Sequence, residues 1–268
     1  MNRNKLFWAV LLVVMGFLLL AGNLDLLPFN VWELFWPVFL ILLGIWFLWG
    51  AYRKPQPASR EERVISLQNA EKARLVVKYG AGKLHVDDSA GPGELIRGSF
   101  ANGLNALVES AGDKLEVVMK PENFFFPGMI FPWNWPEGRG WSWEFGLSPA
   151  VPLDLTFETG AAEADLDLRG LQVKDLLLKT GASATKIRMP ANAGQTFARL
   201  EAGAASVNVH IPDNVSARIE TESGLASIEV DQNRFPRQGE VYQSPDYEQA
   251  EHRLDLRVET GLGSIIIA

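Results

Sequence analysis

The chain has 268 residues, no cysteine and a formal net charge of -7. This length accommodates one large domain and a small one, and the lack of cysteine excludes disulfides, thiolate zinc sites and cysteine nucleophiles. Because the first 52 residues carry two basic and two acidic side chains, the excess of acid lies after residue 52, which makes the chain a poor binder of nucleic acid.

Two apolar runs at the amino terminus predict membrane-spanning helices. They cover residues 6–22 and 31–52, and the second is interrupted only by Glu33 and Pro37. A bilayer core of ~30 Å takes about 20 helical residues, and the short connection contains turn residues. Residues 1–52 are therefore predicted to form a transmembrane helical hairpin. A cleaved signal peptide is the alternative for the first run, but it lacks a small-x-small cleavage pattern and a second apolar run follows at once.

Basic residues orient this hairpin. Arg3 and Lys5 precede the first helix, Arg53 and Lys54 follow the second, and the connecting loop has Asp25 but no base. Under the positive-inside rule both ends are cytoplasmic. We therefore expect a multi-pass protein of the plasma membrane, in contact with the lipid bilayer, whose C-terminal domain is cytoplasmic. Residues 53–63 are rich in proline and charge and are interpreted as a linker.

A repeat organises residues 64–268. A glycine is followed four and six residues later by mostly apolar side chains in six places, at Gly80, Gly160, Gly181, Gly203, Gly224 and Gly261. Three of the spacings are about 21 residues, a period at which one unit cannot bury its apolar face alone and stacks on its neighbours. The pattern predicts a membrane-anchored all-β protein whose large domain is a β-solenoid-like stack.

Each unit is predicted to be a strand, a glycine turn and a second strand. Side chains three and five residues before the glycine, and four and six after it, are expected to point inward. The recurring glycine indicates a backbone angle that a Cβ would penalise, at a place where units stack closely. The last strand, Leu262 to Ala268, is expected to be a free edge that could pair with another chain.

Two insertions interrupt the repeat, an aromatic one at residues 121–150 and a polar one at 233–253. Insertions in such stacks lie on one face, often the binding face. The aromatic insertion either caps the stack or contacts the membrane or a partner, since so large an apolar patch is not left exposed. The candidate contact residues are Phe124, Phe125, Phe126, Phe131, Trp133, Trp135, Trp141, Trp143 and Phe145.

The sequence offers little for catalysis. Asp165 and Asp167 resemble the acid pairs of polysaccharide-cleaving β-helix enzymes, but the adjacent unit places Lys186 and Arg188 at the equivalent positions. Charge pairing across strands is the simpler interpretation. The three histidines lack carboxylates at ligand spacing. We therefore predict no enzymatic activity, no cofactor and no metal site.

Several segments resemble a known family. The hairpin, with GFLLLAGNL at residues 16–24 and WPVFLILLGIWFL at 36–48, is similar to the transmembrane region of LiaI- and LiaF-type envelope-stress proteins. VPLDLTFETGAAEADLDLRGLQVKDLLLKTGAS, which begins at Val151, and the C-terminal segment SPDYEQAEHRLDLRVETGLGSIII resemble the toast-rack β domain of LiaF-like cell-wall-active-antibiotic response proteins. The resemblance implies a membrane-anchored regulator that holds a sensor histidine kinase inactive until the envelope is damaged.

Two functions stay open at this point. The first is a regulatory or scaffolding protein that modulates an envelope-stress sensor kinase, or another membrane protein, through protein contacts. The alternative is a structural or adhesive β-solenoid that self-assembles as a homo-oligomer or is displayed at the cell surface.

Overall fold

The computed structural model describes residues 60–122 and 141–268, with positions 13, 36, 37, 39–41 and 44, which are helical. Most of the predicted hairpin and most of the linker lie outside the described residues. Within the described part, no helix has the length and apolar character needed to cross a bilayer. The chain divides into two compact units, and all the strands belong to one of them.

Thirteen strands are found in this described part, and they belong to one sheet. In chain order they are β1 (Arg60–Ser66), β2 (Lys72–Asp87), β3 (Glu94–Ala101), β4 (Leu104–Ala111), β5 (Lys114–Pro121), β6 (Ser142–Leu147), β7 (Leu153–Asp167), β8 (Val173–Arg188), β9 (Gln195–His210), β10 (Ser216–Val230), β11 (Arg237–Gln238), β12 (Val241–Gln243) and β13 (Arg253–Ile267).

Six long parallel strands form the centre of the sheet, in the order β2, β7, β8, β9, β13, β10. Each carries one repeat glycine in its interior, and pairing with the neighbour continues on both sides of it, as in Tyr79 with Thr159 and Ala81 with Ala161. Between β7 and β8 the pairing resumes at Glu163 with Ala184. The prediction of two strands separated by a glycine turn is therefore wrong. The glycine lies inside a single strand of 15 or 16 residues.

Burial shows that each long strand turns a corner at its glycine. In β7 the side chains of Leu155 and Phe157 are buried before Gly160, and those of Ala164 and Leu166 after it. The alternation changes phase at the glycine, and both halves contribute to one hydrophobic cluster. We call the halves before the glycines the first wall and those after them the second wall. The predicted inward positions are confirmed, and only Ile228 and Val230 of β10 are incompletely buried.

The repeat glycines are required by close stacking. Their φ angles are not positive, so the expected backbone-angle penalty is wrong for them; Gly82 and Gly263 do have positive φ. A Cβ on Gly160 would lie 2.4 Å from the carbonyl oxygen of Gly80, and one on Gly181 would lie 2.9 Å from that of Gly160. The expectation of closely stacked units is thus confirmed, and the glycines form a column along the corner.

The two walls are extended differently at the two ends of the stack. Next to β2, the first wall continues into β5 and β4, and the second wall into β6, β3 and β1. At the other end, β12 and β11 continue the first wall by pairing with residues 218–220 of β10. No strand of the described chain extends the second wall beyond β10.

The C-terminal strand is an interior strand. β13 pairs along its length with β9 on one side and with β10 on the other. The expectation that Leu262 to Ala268 forms a free edge is therefore wrong. The chain skips one strand position between β9 and β10 and fills it last, so that β10 becomes the edge.

Candidate interaction surface

The second half of the predicted aromatic insertion belongs to the core. β6 carries Trp143 and Phe145, which are 1 % and 3 % exposed. The Trp143 ring packs against Tyr79 and Phe100, with centroids 5.1 and 5.2 Å away, and its indole N–H donates to the carbonyl oxygen of Ala101 at 3.2 Å. These two residues were expected to be candidates for contact with a partner or lipid, and the structure corrects this because both fill the space between β2 and β3.

Trp141 is partly buried and borders the corner. Its carbonyl oxygen accepts a hydrogen bond from the Tyr79 hydroxyl at 2.9 Å and faces Gly82 so closely that a Cβ there would lie 2.3 Å from it. Burial raises the pKa of Tyr79, so its hydroxyl stays protonated as the donor. The other six candidates, Phe124, Phe125, Phe126, Phe131, Trp133 and Trp135, lie outside the described residues.

The polar insertion packs on the end of the stack beside β9 and β10. Phe235 is fully buried, and the Arg234 guanidinium donates to the carbonyl oxygens of Ile211 and Pro212 at 2.7 and 2.9 Å. The Ser216 hydroxyl donates to the carboxylate of Asp246 at 2.8 Å, which fixes the later part of the insertion. The insertion is therefore attached to the end of the stack, where it covers the first half of β10.

The carboxylate pair on β7 is neutralised by bases. Asp165 and Asp167 lie in register with Lys186 and Arg188 of β8, and Arg188 Nη1 is 2.8 Å from Asp165. The guanidinium of Arg169, 2.7 Å from Asp167, holds the pKa of that carboxyl below its usual range. A general acid needs a raised pKa, so the pair fits cross-strand pairing, as predicted. No group of three metal-ligating side chains occurs among the residues described.

Acid–base pairs cross every boundary between adjacent long strands. They are Lys78–Glu158 and Lys83–Glu163 between β2 and β7, Asp165–Arg188 between β7 and β8, Lys179–Glu201 between β8 and β9, Arg199–Glu259 between β9 and β13, and Arg257–Glu222 between β13 and β10, at 2.8–3.6 Å. Each boundary is thus bridged by at least one acid on one strand and one base on the next. Proximity of Lys83 lowers the pKa of Glu163, so this carboxylate is ionised at neutral pH.

A shallow groove of about 1090 Å³ follows the glycine column across all six long strands. Glycine and threonine backbone forms its floor, and alternating Lys and Glu side chains such as Lys78, Glu158 and Lys179 form its rim. Strands lie about 4.8 Å apart, so the groove is roughly 24 Å long. The glycines that the sequence singled out therefore create a surface feature as well as a stacking contact.

The second surface feature is the outer edge of β10 in the second wall, which we call the open edge, residues 225–230. β12 covers β10 only at residues 218–220, so in the described chain the open edge has a strand neighbour on one side only. Leu225 is 86 % exposed, and Ile228 and Val230 are only partly buried. Sequence analysis missed this edge because it assigned the end of the stack to the C-terminal strand.

Comparison with known families identifies the chain. The family model described as the N-terminal domain of toast_rack, DUF2154, matches residues 54–210, which is more than half of the chain, so the chain belongs to this toast-rack family. The LiaI-LiaF-like transmembrane region matches residues 6–48. The resemblance to LiaF-like proteins is confirmed, and the protein is a membrane protein. Neither description names an enzymatic activity. No protein with a curated description matches the chain.

Two solved structures align with the chain. A protein from Clostridium sporogenes ATCC 15579, titled as a candidate cell adhesion protein, is 19 % identical with a TM-score of 0.69, over 78 % of this chain and 98 % of its own. A candidate adhesin from Bacteroides fragilis NCTC 9343 is 8 % identical with a TM-score of 0.30, over 80 % of this chain and 100 % of its own. The first supports the fold alone, and the second is too dissimilar to carry an argument.

Proposed function

We propose that the protein is a membrane-anchored, non-enzymatic regulator or scaffold that modulates an envelope-stress sensor histidine kinase through protein contacts. The observation that carries this proposal is the succession of a LiaI-LiaF-like transmembrane region at residues 6–48 and a toast-rack domain from residue 54. Because only residues 49–53 separate the two matched regions, the proposed partner is a protein of the same membrane.

The anchor is proposed to be a two-helix hairpin with both ends in the cytoplasm. Support comes from the basic residues on both sides of the apolar runs and from the lack of any base in the connection between them. The β domain would then face the cytoplasmic segments of a sensor kinase. Its stacked parallel strands are interpreted as a β-solenoid-like support, since each long strand contacts mainly its neighbours in the stack.

In its described residues the β domain presents two surfaces suited to contact with a protein. The corner groove is lined by ion-paired Lys and Glu side chains, and the open edge of β10 exposes backbone and Leu225. Such features support recognition of a protein segment. The aromatic residues at 124–135 remain a second proposed contact, with lipid or with the helices of a membrane partner.

The experiment is a measurement of the envelope-stress response in cells that lack the protein. A reporter for that response should be active without any cell-wall antibiotic, because an inhibitor of the kinase has been removed, and the full chain should restore the low level. A chain truncated after residue 59 should not restore it. An unchanged reporter, with and without antibiotic, would contradict a regulatory role.

A second function, assembly into a structural or adhesive homo-oligomer, is favoured by one observation, the open edge of β10, since uncovered edges pair with other strands. Sedimentation of the full chain in detergent or nanodiscs at increasing concentration tests it. A sedimentation coefficient that rises with protein concentration, and no longer rises in the Ser227→Pro variant, would support assembly. A strict monomer would contradict it.

A further inference from the structure

The stack ends with half a unit beyond β10. In the first wall, β12 pairs with residues 218–220 of β10. In the second wall, residues 225–230 pair with β13, and no other strand of the described chain pairs with them. The other five long strands are paired on both sides in both walls. The next strand position is therefore occupied in the first wall only.

The apolar interior is less covered at this place. The inward side chains of β13 in the second wall are buried, whereas those of β10, Ile228 and Val230, are only partly buried. In the first wall, Tyr242 of β12 lies in register with the buried Ile219 and is also only partly buried against the core. A further strand of the second wall would cover Ile228 and Val230 if its inward side chains were apolar, since side chains on adjacent strands contact each other.

The backbone of the open edge is able to accept such a strand. Edge strands are usually protected by lysine, proline or a bulge. Residues 225–230 contain neither lysine nor proline, and their ladder with β13 has no register shift. Six residues at about 3.3 Å each give an edge of roughly 20 Å, which is the length of an ordinary strand.

The outer face of the sheet beside the open edge is almost uncharged. Its outward side chains are Leu225, Ser227 and Glu229 on β10, and Leu262, Ser264 and Ile266 on β13. In the second wall, acid–base pairs bridge β2 with β7 and β7 with β8, whereas none is found between β9, β13 and β10 in the described residues of that wall. An added strand is therefore expected to carry uncharged side chains on its outer face.

The β10 strand of a second copy does not fit this position. Both halves of each long strand contribute to one core, so a second copy that placed its second half beside the open edge would also bring its first half to the first wall. The first-wall position beside residues 218–220 is already occupied by β12. A six-residue edge is also small beside the roughly 20–30 residues that each partner of a stable complex contributes.

We infer that the open edge is a binding site for a short extended segment of another protein, which adds to the second wall with apolar side chains on its inner face and uncharged side chains on its outer face. In this mode main-chain hydrogen bonds give affinity and alternate side chains give specificity. This assignment rests on the proposed role in protein contacts and deepens it by naming the chemistry of the bound segment.

The test measures binding of a fluorescent eight-residue peptide of alternating valine and threonine to the full chain in phosphatidylcholine nanodiscs. We expect saturable binding by fluorescence anisotropy, little affected by salt because no charge is involved, and slowed amide exchange confined to residues 225–230. The matched control is the same peptide methylated on every main-chain nitrogen. It keeps the side chains but has no hydrogen-bond donor for the edge, so it should lose most of the binding.

Two variants of the protein complete the binding test. Ile228→Ala removes an inward side chain of the open edge and should weaken binding of the alternating peptide roughly tenfold, as expected for an apolar anchor. Ile266→Ala removes the same side chain from the outer face of β13, which is paired on both sides, and should leave binding nearly unchanged. Thermal unfolding verifies that both variants fold. Equal binding by the two variants, equal binding of the two peptides, or protection elsewhere would overturn the inference.

A single thiol tests the second copy as the occupant. Ser227→Cys introduces one cysteine on the open edge of a chain that has none. Under oxidation in detergent we expect monomers, and disulfide-linked dimers would overturn the inference by assigning the edge to a second copy. These measurements involve no kinase, so their failure would leave the regulatory role standing, whereas an unchanged stress reporter would contradict that role without affecting peptide binding.

Discussion

The glycine column provides the sharpest test of the fold, through alanine substitutions at successive strands. At Gly160, Gly181 and Gly203 a Cβ would lie 2.4, 2.9 and 3.1 Å from the carbonyl oxygen of the preceding glycine in the column. Carbon–oxygen contacts are ordinarily at ~3.3 Å or more. Gly160→Ala therefore forces two backbones apart by almost 1 Å, whereas Gly203→Ala requires a few tenths of an ångström.

The expected cost follows from these distances. Overpacking costs about 1–3 kcal/mol, so Gly160→Ala should lie near the upper end of this range and Gly203→Ala near or below the lower end. For a domain of this size each kcal/mol lowers Tm by roughly 2–4 °C. Substitution by valine should increase the loss at each position, since two more methyl groups must be accommodated.

Thermal unfolding of the full chain, followed by circular dichroism, measures the effect. The controls are Lys186→Ala and Asn208→Ala, whose side chains point outward from β8 and β9; such surface changes are usually within about 0.5 kcal/mol. We expect a graded loss of thermal stability, largest for Gly160→Ala, smaller for Gly181→Ala and smallest for Gly203→Ala, with little change in the controls. Equal shifts at all five positions would refute it.

Three further predictions concern the core, the strand order and pH. Trp143→Ala should destabilise the domain by about 3–5 kcal/mol, because Trp143 is a core residue; a melting temperature within 2 °C of the parent's would contradict this. Deletion of residues 253–268 should abolish cooperative unfolding, because β13 joins β9 to β10; a cooperative transition in the shortened chain would instead fit a terminal edge strand. The pKa values of Glu94, Glu163 and Asp167 are lowered by hydrogen bonds to Arg97, Lys83 and Arg169. The stability that these ionised carboxylates contribute is therefore present above their pKa in the unfolded chain, about 4. It is lost as pH falls through their lower pKa in the folded chain. Melting temperatures measured from pH 7 to pH 2 should be level down to about pH 4.5 and then fall, less steeply in high salt; a maximum below pH 4 would contradict the sign.

The repeat made much of this fold predictable. Side chains at fixed offsets from each glycine were expected to face inward, and the structure places Leu176, Leu178 and Ile187 of β8 in the core accordingly. The charge pairing of Asp165 with the adjacent strand was also predictable, because register follows from equal offsets. These features were predictable because the periodicity within one strand determines which of its side chains share a face.

Strand order was not predictable from the repeat. Units with the same pattern are interchangeable in a parallel stack, so nothing in the offsets places β13 before β10. The one available signal was length, since 37 residues separate Gly224 from Gly261 in place of about 21, which is enough chain to pass around β10 and return. The burial of Trp143 was likewise hidden, because β6 lacks the repeat glycine and stands among other aromatic residues. The open edge of β10 follows from the strand order and became visible only with the topology.

Membrane topology tests the central claim, a regulator whose β domain acts from the cytoplasm. A reporter active only in the cytoplasm and one active only outside the cell would each be fused after Ala268 of the full chain. We expect activity of the cytoplasmic reporter alone. Activity of the external reporter alone would contradict the orientation and with it a direct contact between the β domain and the cytoplasmic part of a sensor kinase.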